Sequence, residues 1–117
     1  MSNYRQKIGE WGEGVASEFL EKKDYKVIAR NFRTPYGEID IIAEKDGFIF
    51  FVEVKTRTTK SFGPPEISVT PRKQEHMLAA AEYYVQKHEI DHWQIDVIAV
   101  EGKPDTQPVF THFENAI

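Results

Sequence analysis

The chain has 117 residues, of which 40% are hydrophobic and 29% are charged, and its formal net charge is −4. This length predicts one domain, residues 1–117, around a single core, and the composition excludes a disordered protein. The sequence has no cysteine, no apolar run near the ~18 residues of a membrane helix, and no resemblance to a signal peptide in its first residues. We therefore expect a cytoplasmic protein that does not contact a membrane. The negative charge excludes a generally basic protein that coats nucleic acid, but it is compatible with a local basic patch.

The first half of the chain predicts one helix and three strands. Residues 5–23 place apolar side chains at the spacing of an amphipathic helix, although three glycines lower its intrinsic propensity. The segment YKVIARNFR predicts the first strand, which ends at the turn TPYG. The segment GEIDIIAEKDGFIFFVEVK, residues 37–55, predicts a hairpin with Asp46 and Gly47 as its two-residue turn.

The second half predicts a loop, a helix and two strands. The proline-containing residues 56–71 predict a polar loop. Thr70 is expected to cap a second helix that has Pro71 in its first turn and continues to about Lys87. HWQIDVIAVEG predicts the next strand, and PVFTHF predicts a short last strand. The order α-β-β-β-α-β predicts an α/β fold with a mixed sheet flanked by helices, in which the second helix makes a parallel crossover.

The register of the hairpin places charged residues together. A turn at Asp46-Gly47 opposes Asp40 to Glu53, and Glu38 to Lys55, at the open end. The opposite face is entirely apolar and must pack on a helix; it carries Ile39, Ile41, Ala43, Phe50, Val52 and Val54.

Directly opposed acids need an explanation, because two ionised carboxylates about 5 Å apart repel by roughly 3 kcal/mol at an effective dielectric of about 20. A divalent cation between Asp40 and Glu53, or a raised pKa of one of them, would relieve the repulsion. The alternative is a surface ion-pair cluster, with Glu38 paired to Lys55 and an acid answered by a nearby arginine. Exposed pairs of that kind contribute little stability.

Several motifs together resemble a known nuclease superfamily. GEID at residues 37–40, followed by FVEVKTR at residues 51–57, matches the acid and Glu-x-Lys pattern of the PD-(D/E)xK, or restriction-endonuclease-like, superfamily. Over roughly residues 8–100 the chain more closely resembles the YraN-like family of small bacterial endonuclease-like proteins. The resemblance implies a restriction-endonuclease-like αβββαβ core. Further matching positions are Gly9, Gly12, Glu13, Ala16, Asn31, Arg33 and the segments FGPP and VTPRK.

The resemblance also implies a metal site. Asp40 and Glu53 would ligate Mg²⁺ or Mn²⁺ together with the backbone carbonyl of Val54, and Glu13 would complete the shell directly or through water. Lys55 would orient and activate the attacking water, or stabilise charge on the phosphate. These residue types suit the chemistry, because hard cations prefer carboxylate and carbonyl oxygens with retained waters, and they lower the pKa of a bound water.

The implied function is a metal-dependent nuclease that hydrolyses phosphodiester bonds in structured or branched DNA, in bacterial DNA repair or recombination. Many small nucleases of this type act as homodimers, so a homodimer is a further expectation. Arg33, Arg57 and Lys73 are candidate nucleic-acid contacts in a local basic rim, with Lys73 in the first turn of the second helix. The alternative, motivated by the net charge of −4, is a non-catalytic module that keeps the nuclease fold and binds nucleic acid or a protein.

A few positions depart from the family pattern or have two interpretations. Gln94 and Ile95 stand where the family usually has an arginine and an aromatic residue, which removes either a structural pair or a phosphate contact. Ile39 takes the place of the superfamily's nominal proline. We interpret Asp96 as a structural hydrogen-bonding acid, with an active-site role as the alternative. Four aromatic residues are candidates for stacking on bases, although such residues more often belong to a core; they are Trp11, Phe32, Tyr36 and Phe62.

Overall fold

A mixed sheet of five strands with one helix on each face forms the described part of the protein. The computed structural model describes residues 3–58 and 69–117 of the chain. The strands lie in the sheet in their sequence order, and neighbours are antiparallel except for the third and fourth, which are parallel. The elements are α1 (Tyr4–Lys22), β1 (Lys26–Thr34), β2 (Gly37–Lys45), β3 (Phe48–Arg57), α2 (Pro71–His88), β4 (Trp93–Glu101) and β5 (Val109–Phe113).

The predicted α/β class and element order are confirmed, and the architecture is compatible with a restriction-endonuclease-like fold. The segment PVFTHF forms β5 beside β4, and α2 makes the expected crossover between β3 and β4. β3 continues to Arg57, two residues into the predicted loop, and residues 59–68 of that loop, including Phe62, lie outside the described residues. Neither of the described helices is long and apolar enough to cross a membrane.

Side-chain caps define where both helices begin. The Asn3 side chain accepts a hydrogen bond from the Gln6 N–H at 2.8 Å and starts α1. The Thr70 hydroxyl accepts one from the Lys73 N–H at 3.2 Å, and Pro71 occupies the first turn of α2, as predicted. The cap therefore places Lys73 in the first turn of α2, at the helix end that lies nearest the open end of the hairpin.

Each face of the sheet packs on a different helix. Ala16 and Leu20 of α1 join one buried cluster, and Ala80 and Ala81 of α2 join the other. The strands contribute alternate side chains to the two clusters, as expected for a sheet that is covered on both faces. The α1 cluster includes Ile41, Ala43, Phe50, Val52, Ile98 and Val100, and the α2 cluster includes Ile39, Ile42, Ile49, Phe51 and Ile95.

Gly12 allows α1 to approach β3 closely. A Cβ at this position would overlap the Thr56 hydroxyl and would lie 3.0 Å from the Thr56 Cβ. Only a glycine fits at this contact, because both the hydroxyl and the Cβ of Thr56 occupy the space. The close approach brings Glu13, the next residue of α1, to the end of β3.

The tip of the hairpin has the predicted turn. Asp46 and Gly47 both have positive φ, 51° and 81°, as a two-residue turn of this kind requires. The predicted register is confirmed from the pair Lys45–Phe48 to the pair Ile41–Val52, where the ladder between the strands ends. The two predicted pairs at the open end, Asp40–Glu53 and Glu38–Lys55, lie beyond the ladder. Beyond that last pair, β2 continues beside β1 alone and β3 continues beside β4 alone.

The prediction that Ile39 shares an apolar face with Ile41 is wrong. Ile39 packs with Ile42 in the cluster that faces α2, whereas Ile41 packs in the cluster that faces α1. The alternation of side chains is therefore interrupted at Asp40. The physical cause is local irregularity in both neighbours, because Asn31 of β1 has a φ of 52° and β3 no longer pairs with β2 at this point.

Candidate functional site

Asp40 lies where β2 and β3 stop pairing. Its Oδ2 accepts a hydrogen bond from the backbone N–H of Val54 at 2.8 Å. In a continued ladder this N–H would face a carbonyl of β2, so the carboxylate takes the place of a backbone acceptor. The side chain is half-buried at the split between the two strands.

Asp40 and Glu53 form a close pair of carboxyl groups beyond the end of the ladder, at the place that the turn at Asp46 and Gly47 predicted. The two side chains are within hydrogen-bonding contact. Burial, followed by the charge of Glu53, raises the pKa of Asp40 to about 7, and the Val54 N–H offsets only part of this rise. At neutral pH the pair therefore retains a proton part of the time. The raised pKa was one of the two expected ways of relieving the repulsion between these acids.

Glu13 of α1 adds a third carboxyl group from the face of the sheet that α1 covers. Burial raises the pKa of Glu13 above its usual value, and the Arg30 guanidinium opposes that rise. The carboxylates of Glu38 and Glu53 raise it further, whereas a hydrogen bond with Asn31 lowers it. One helix and two strands therefore bring three acids, Glu13, Asp40 and Glu53, into the same region.

The acids fit a magnesium-like ion in part. Within residues 3–58 and 69–117, no three acidic or imidazole side chains converge closely enough to form a complete metal-binding group. Mg²⁺ nevertheless needs only one or two carboxylates, because waters and phosphate oxygens fill its other positions. The Asp40–Glu53 pair meets that requirement. For Glu13, contact through water fits this arrangement better than direct ligation.

Lys73 reaches the pair from α2. Its Nζ lies 3.2 Å from Oε1 of Glu53, and the two side chains are 48% and 13% exposed. The ammonium group therefore partly neutralises the acid that raises the pKa of Asp40. The sequence placed Lys73 at the start of the second helix but gave no sign that it would contact Glu53, since residues 54–72 separate them along the chain.

Lys55 lies on the same side of β3 as Glu53, two residues further along, and is half-buried. Its neighbour in the parallel ladder is Ala99 of β4. The ion pairs formed among the described residues do not include Lys55. The ammonium group of Lys55 is therefore not committed to an acid in this part of the chain, and the expected pair with Glu38 does not form.

The arginines of the expected basic rim pair with acids of neighbouring strands. Arg33 Nε lies 3.8 Å from Oε2 of Glu38, and both side chains are well exposed. Arg57 Nη2 lies 3.5 Å from Oε2 of Glu101. The alternative of a surface ion-pair cluster is thus partly right, because Glu38 forms an ion pair with an arginine, although not with Lys55.

Asp96 is a buried acid with a structural role. It is 0% exposed, and Gln94 Nε2 at 2.8 Å and the Asn115 N–H at 2.9 Å both donate to Oδ1. His112 Nε2 lies 2.8 Å from Oδ2. Gln94, which departs from the family pattern, therefore takes part in the hydrogen bonding of a buried acid in the sheet. His112 and Asn115 were not identified from the sequence, because their contact with Asp96 depends on how β5 packs.

The segment that carries the site residues matches a known protein family. The profile described as "Uncharacterised protein family UPF0102" matches residues 12–100, which include the acids, Lys55 and Lys73. The chain belongs to this family. It is the YraN-like group that the motifs predicted.

Relatives in several bacteria share most of the chain with it. A UPF0102 protein of Dehalococcoides mccartyi is 42% identical over 103 residues, which span 86% of this chain and 85% of the relative. One of Syntrophomonas wolfei is 41% identical over 113 residues, spanning 92% and 98%. One of Clostridium perfringens is 44% identical over 108 residues, spanning 91% and 88%. Their names give the family without an activity.

Proposed function

We propose that this UPF0102 protein is a divalent-metal-dependent nuclease that hydrolyses phosphodiester bonds in DNA. The observation that carries the proposal is the contact of the Asp40 and Glu53 carboxyl groups at the split between β2 and β3, with the pKa of Asp40 raised to about 7. An arrangement that disfavours its own ionised form is costly for the free protein and becomes favourable when a cation binds there.

The residues of the pair suit Mg²⁺ or Mn²⁺. Asp40 and Glu53 would hold the ion with the carbonyl of Val54, and Glu13 would contact its waters. A bound ion of this kind lowers the pKa of a water and neutralises charge on a phosphate. Lys55, half-buried and beside Glu53 on the same side of β3, would orient the attacking water and stabilise negative charge on the phosphate oxygens.

The substrate proposed is structured or branched DNA, as in repair or recombination. Lys73, Arg33 and Arg57 would contact phosphates. Each of them is already paired with a carboxylate, so each contact requires an exchange of the acid for a phosphate. The attraction of DNA to these positions should therefore depend on the divalent ion, which offsets the charge of the acids and frees Lys73.

A second candidate is a non-catalytic module that binds nucleic acid or a protein. The ion pairs of Lys73, Arg33 and Arg57 with acids, and the incomplete convergence of Glu13 on the pair, favour it. Such a module would bind without a metal requirement, and its binding would survive Asp40→Asn. Strictly metal-dependent binding would contradict it.

The test is cleavage of flapped, branched and single-stranded DNA in the presence of Mn²⁺. We expect cleavage by the wild type, a loss of at least about a hundredfold in Glu53→Gln, and a similar loss in Lys55→Met. Glu44→Gln is the matched control, because Glu44 is an exposed acid near the other end of the same hairpin. Cleavage of no substrate, or cleavage that survives Glu53→Gln, would refute the proposal.

A further inference from the structure

A cavity of about 110 Å³ opens beside the acidic pair, between the open end of the hairpin and α2. We call it the α2 cavity. It lies on the face of the sheet opposite α1 and shares Glu53 with the proposed metal site. The lining residues used below are Tyr36, Ile39, Glu53, Lys73, Met77 and Ala80.

Apolar and polar side chains both line the α2 cavity. Met77 and Ala80 of α2 contribute apolar lining together with Ile39 of β2. The ion pair of Lys73 with Glu53, 3.2 Å apart, contributes polar lining. A ligand with a flat apolar body, an edge of hydrogen-bonding groups and an attached phosphate would match each of these parts.

Tyr36 supplies an aromatic surface at the rim. Its side chain is 53% exposed, and its ring meets the ring of Tyr83 on α2 at a centroid distance of 6.4 Å. This contact holds Tyr36 on the α2 side of the hairpin. Of the other aromatic residues considered for stacking on bases, Trp11 and Phe32 pack against the two buried clusters. Tyr36 is therefore the described candidate whose ring remains accessible.

The size of the α2 cavity limits the ligand to a single small ring. At about 110 Å³ the α2 cavity is about a quarter smaller than an enclosed apolar cavity of about 150 Å³ that accepts benzene, so one ring enters it only in part and the remainder lies at its open side. A base pair does not fit, and a purine would protrude from it. A pyrimidine ring can enter only if its nucleotide is unpaired, since a base that is still hydrogen-bonded to its partner is too wide for the α2 cavity.

We propose that the α2 cavity binds an unpaired pyrimidine base, with Tyr36 stacking on it and the phosphate of the same nucleotide lying beside Lys73 and the acidic pair. This inference rests on the proposed nuclease function and specifies its substrate class. The protein then acts on nucleotides at flaps, single strands or junctions and not within a regular duplex. Aromatic stacking is the usual means by which proteins hold single-stranded bases.

The experiment is a titration of the full chain followed by the backbone amide NMR signals of Met77 and Ala80. The probes are thymidine 5′-monophosphate, deoxyadenosine 5′-monophosphate, deoxyribose 5-phosphate and inorganic phosphate, each with and without Mg²⁺. We expect thymidine monophosphate to bind about tenfold more tightly than deoxyribose 5-phosphate, because stacking adds to the phosphate contact. Deoxyadenosine monophosphate should bind more weakly than thymidine monophosphate.

Three variants test whether the preference for a base arises from the α2 cavity and the Tyr36 ring. Ala80→Leu should fill the α2 cavity and abolish the preference for thymidine monophosphate, because Ala80 is a buried residue of its wall. Ala79→Leu is the matched control on the adjacent position and should keep the preference. Tyr36→Ala should lose most of the preference for thymidine monophosphate. Because Tyr36 is exposed, this variant should fold, and it tests the base contact even if Ala80→Leu does not fold.

Equal binding of thymidine monophosphate and deoxyribose 5-phosphate would overturn the inference, as would a preference unchanged in both Tyr36→Ala and a folded Ala80→Leu. Tighter binding of deoxyadenosine monophosphate would contradict the pyrimidine class. These results are distinguishable from failure of the nuclease proposal. A base preference without Mg²⁺, in a protein that cleaves no DNA, would support the cavity and refute the nuclease. Cleavage of DNA by a protein without a base preference would support the nuclease and refute the cavity.

Discussion

At the scale of single residues, the Asp40 carboxyl group is held where its ionised form is disfavoured. Its pKa of about 7 comes first from burial and then from the charge of Glu53. The unfolded chain would release this proton near pH 4, as an ordinary aspartate does. Folding therefore keeps a proton that the unfolded state has lost, so the wild type loses stability as pH rises from about 4 to about 7.

Asp40→Asn should stabilise the metal-free protein at neutral and alkaline pH. Asparagine keeps an acceptor for the Val54 N–H and removes the repulsion with Glu53. We expect the free energy of unfolding in urea to rise by about 2 kcal/mol at pH 8, since screening by water reduces the full shift, and to be nearly unchanged at pH 4. Asp91→Asn, at an exposed position, is the control and should have little effect at either pH. A constant difference between the variants at every pH would show that Asp40 does not titrate in this way.

Asp96 is a fully buried acid whose two carboxylate oxygens both have hydrogen-bond partners. Asp96→Ala would leave Gln94, His112 and the Asn115 N–H without their acceptor. We expect the free energy of unfolding to fall by about 3 kcal/mol, because buried polar groups without partners are costly. Binding of Mn²⁺ should be unchanged in the folded fraction. A loss of metal affinity with normal stability would favour the active-site interpretation of Asp96 instead.

At the scale of elements, the contact between α1 and β3 positions Glu13. Gly12→Ala should destabilise the protein by about 2 kcal/mol through overpacking, because rotation of Thr56 leaves its Cβ 3.0 Å from the added methyl group. Gly14→Ala is the matched control in the same helix. A Cβ there has nothing within 4 Å, so this change should stabilise by about 0.5–1 kcal/mol through helix propensity.

Urea unfolding measures both changes. The double variant Gly12→Ala/Thr56→Ala should recover part of the loss, because Thr56→Ala removes the hydroxyl that the new methyl group would overlap. Equal effects of Gly12→Ala and Gly14→Ala would show that the close approach of α1 and β3 is not a constraint on the fold.

Elements with strong local signals could be predicted from the sequence. Thr70 and Pro71 fixed the start of α2, and Asp46 with Gly47 fixed the turn and hence the register of the hairpin. From that register followed the approach of Asp40 to Glu53. These features depend on residues that are close together in the chain, whose conformational preferences are short-range.

Features that depend on distant parts of the chain could not be predicted. The change of face at Ile39 accompanies the end of the β2–β3 ladder and the irregular backbone at Asn31 in another strand. The contact of Lys73 with Glu53 depends on how α2 packs on the sheet. Side-chain periodicity carries no information about either, since it describes one element at a time.

At the scale of the whole molecule, residues from both helices and from the separated ends of β2 and β3 meet in one region that is rich in carboxyl groups. Glu13 comes from α1, the pair Asp40–Glu53 from the hairpin and Lys73 from α2. A protein with a net charge of −4 that concentrates acids at one point has little attraction for DNA there without a cation. The central claim is therefore that Asp40 and Glu53 together bind a divalent ion.

Calorimetric titration with Mn²⁺ in buffers of different ionisation enthalpy tests this claim most directly, because it measures both binding and the protons released. At about pH 6 the wild type should bind one ion and release close to one proton, and at about pH 8.5 it should release almost none, because Asp40 is then already ionised. Asp40→Asn and Glu53→Gln should each weaken binding at least about tenfold, and Glu44→Gln should not. Binding that is absent in the wild type, or equal in the wild type and Glu53→Gln, would contradict the account.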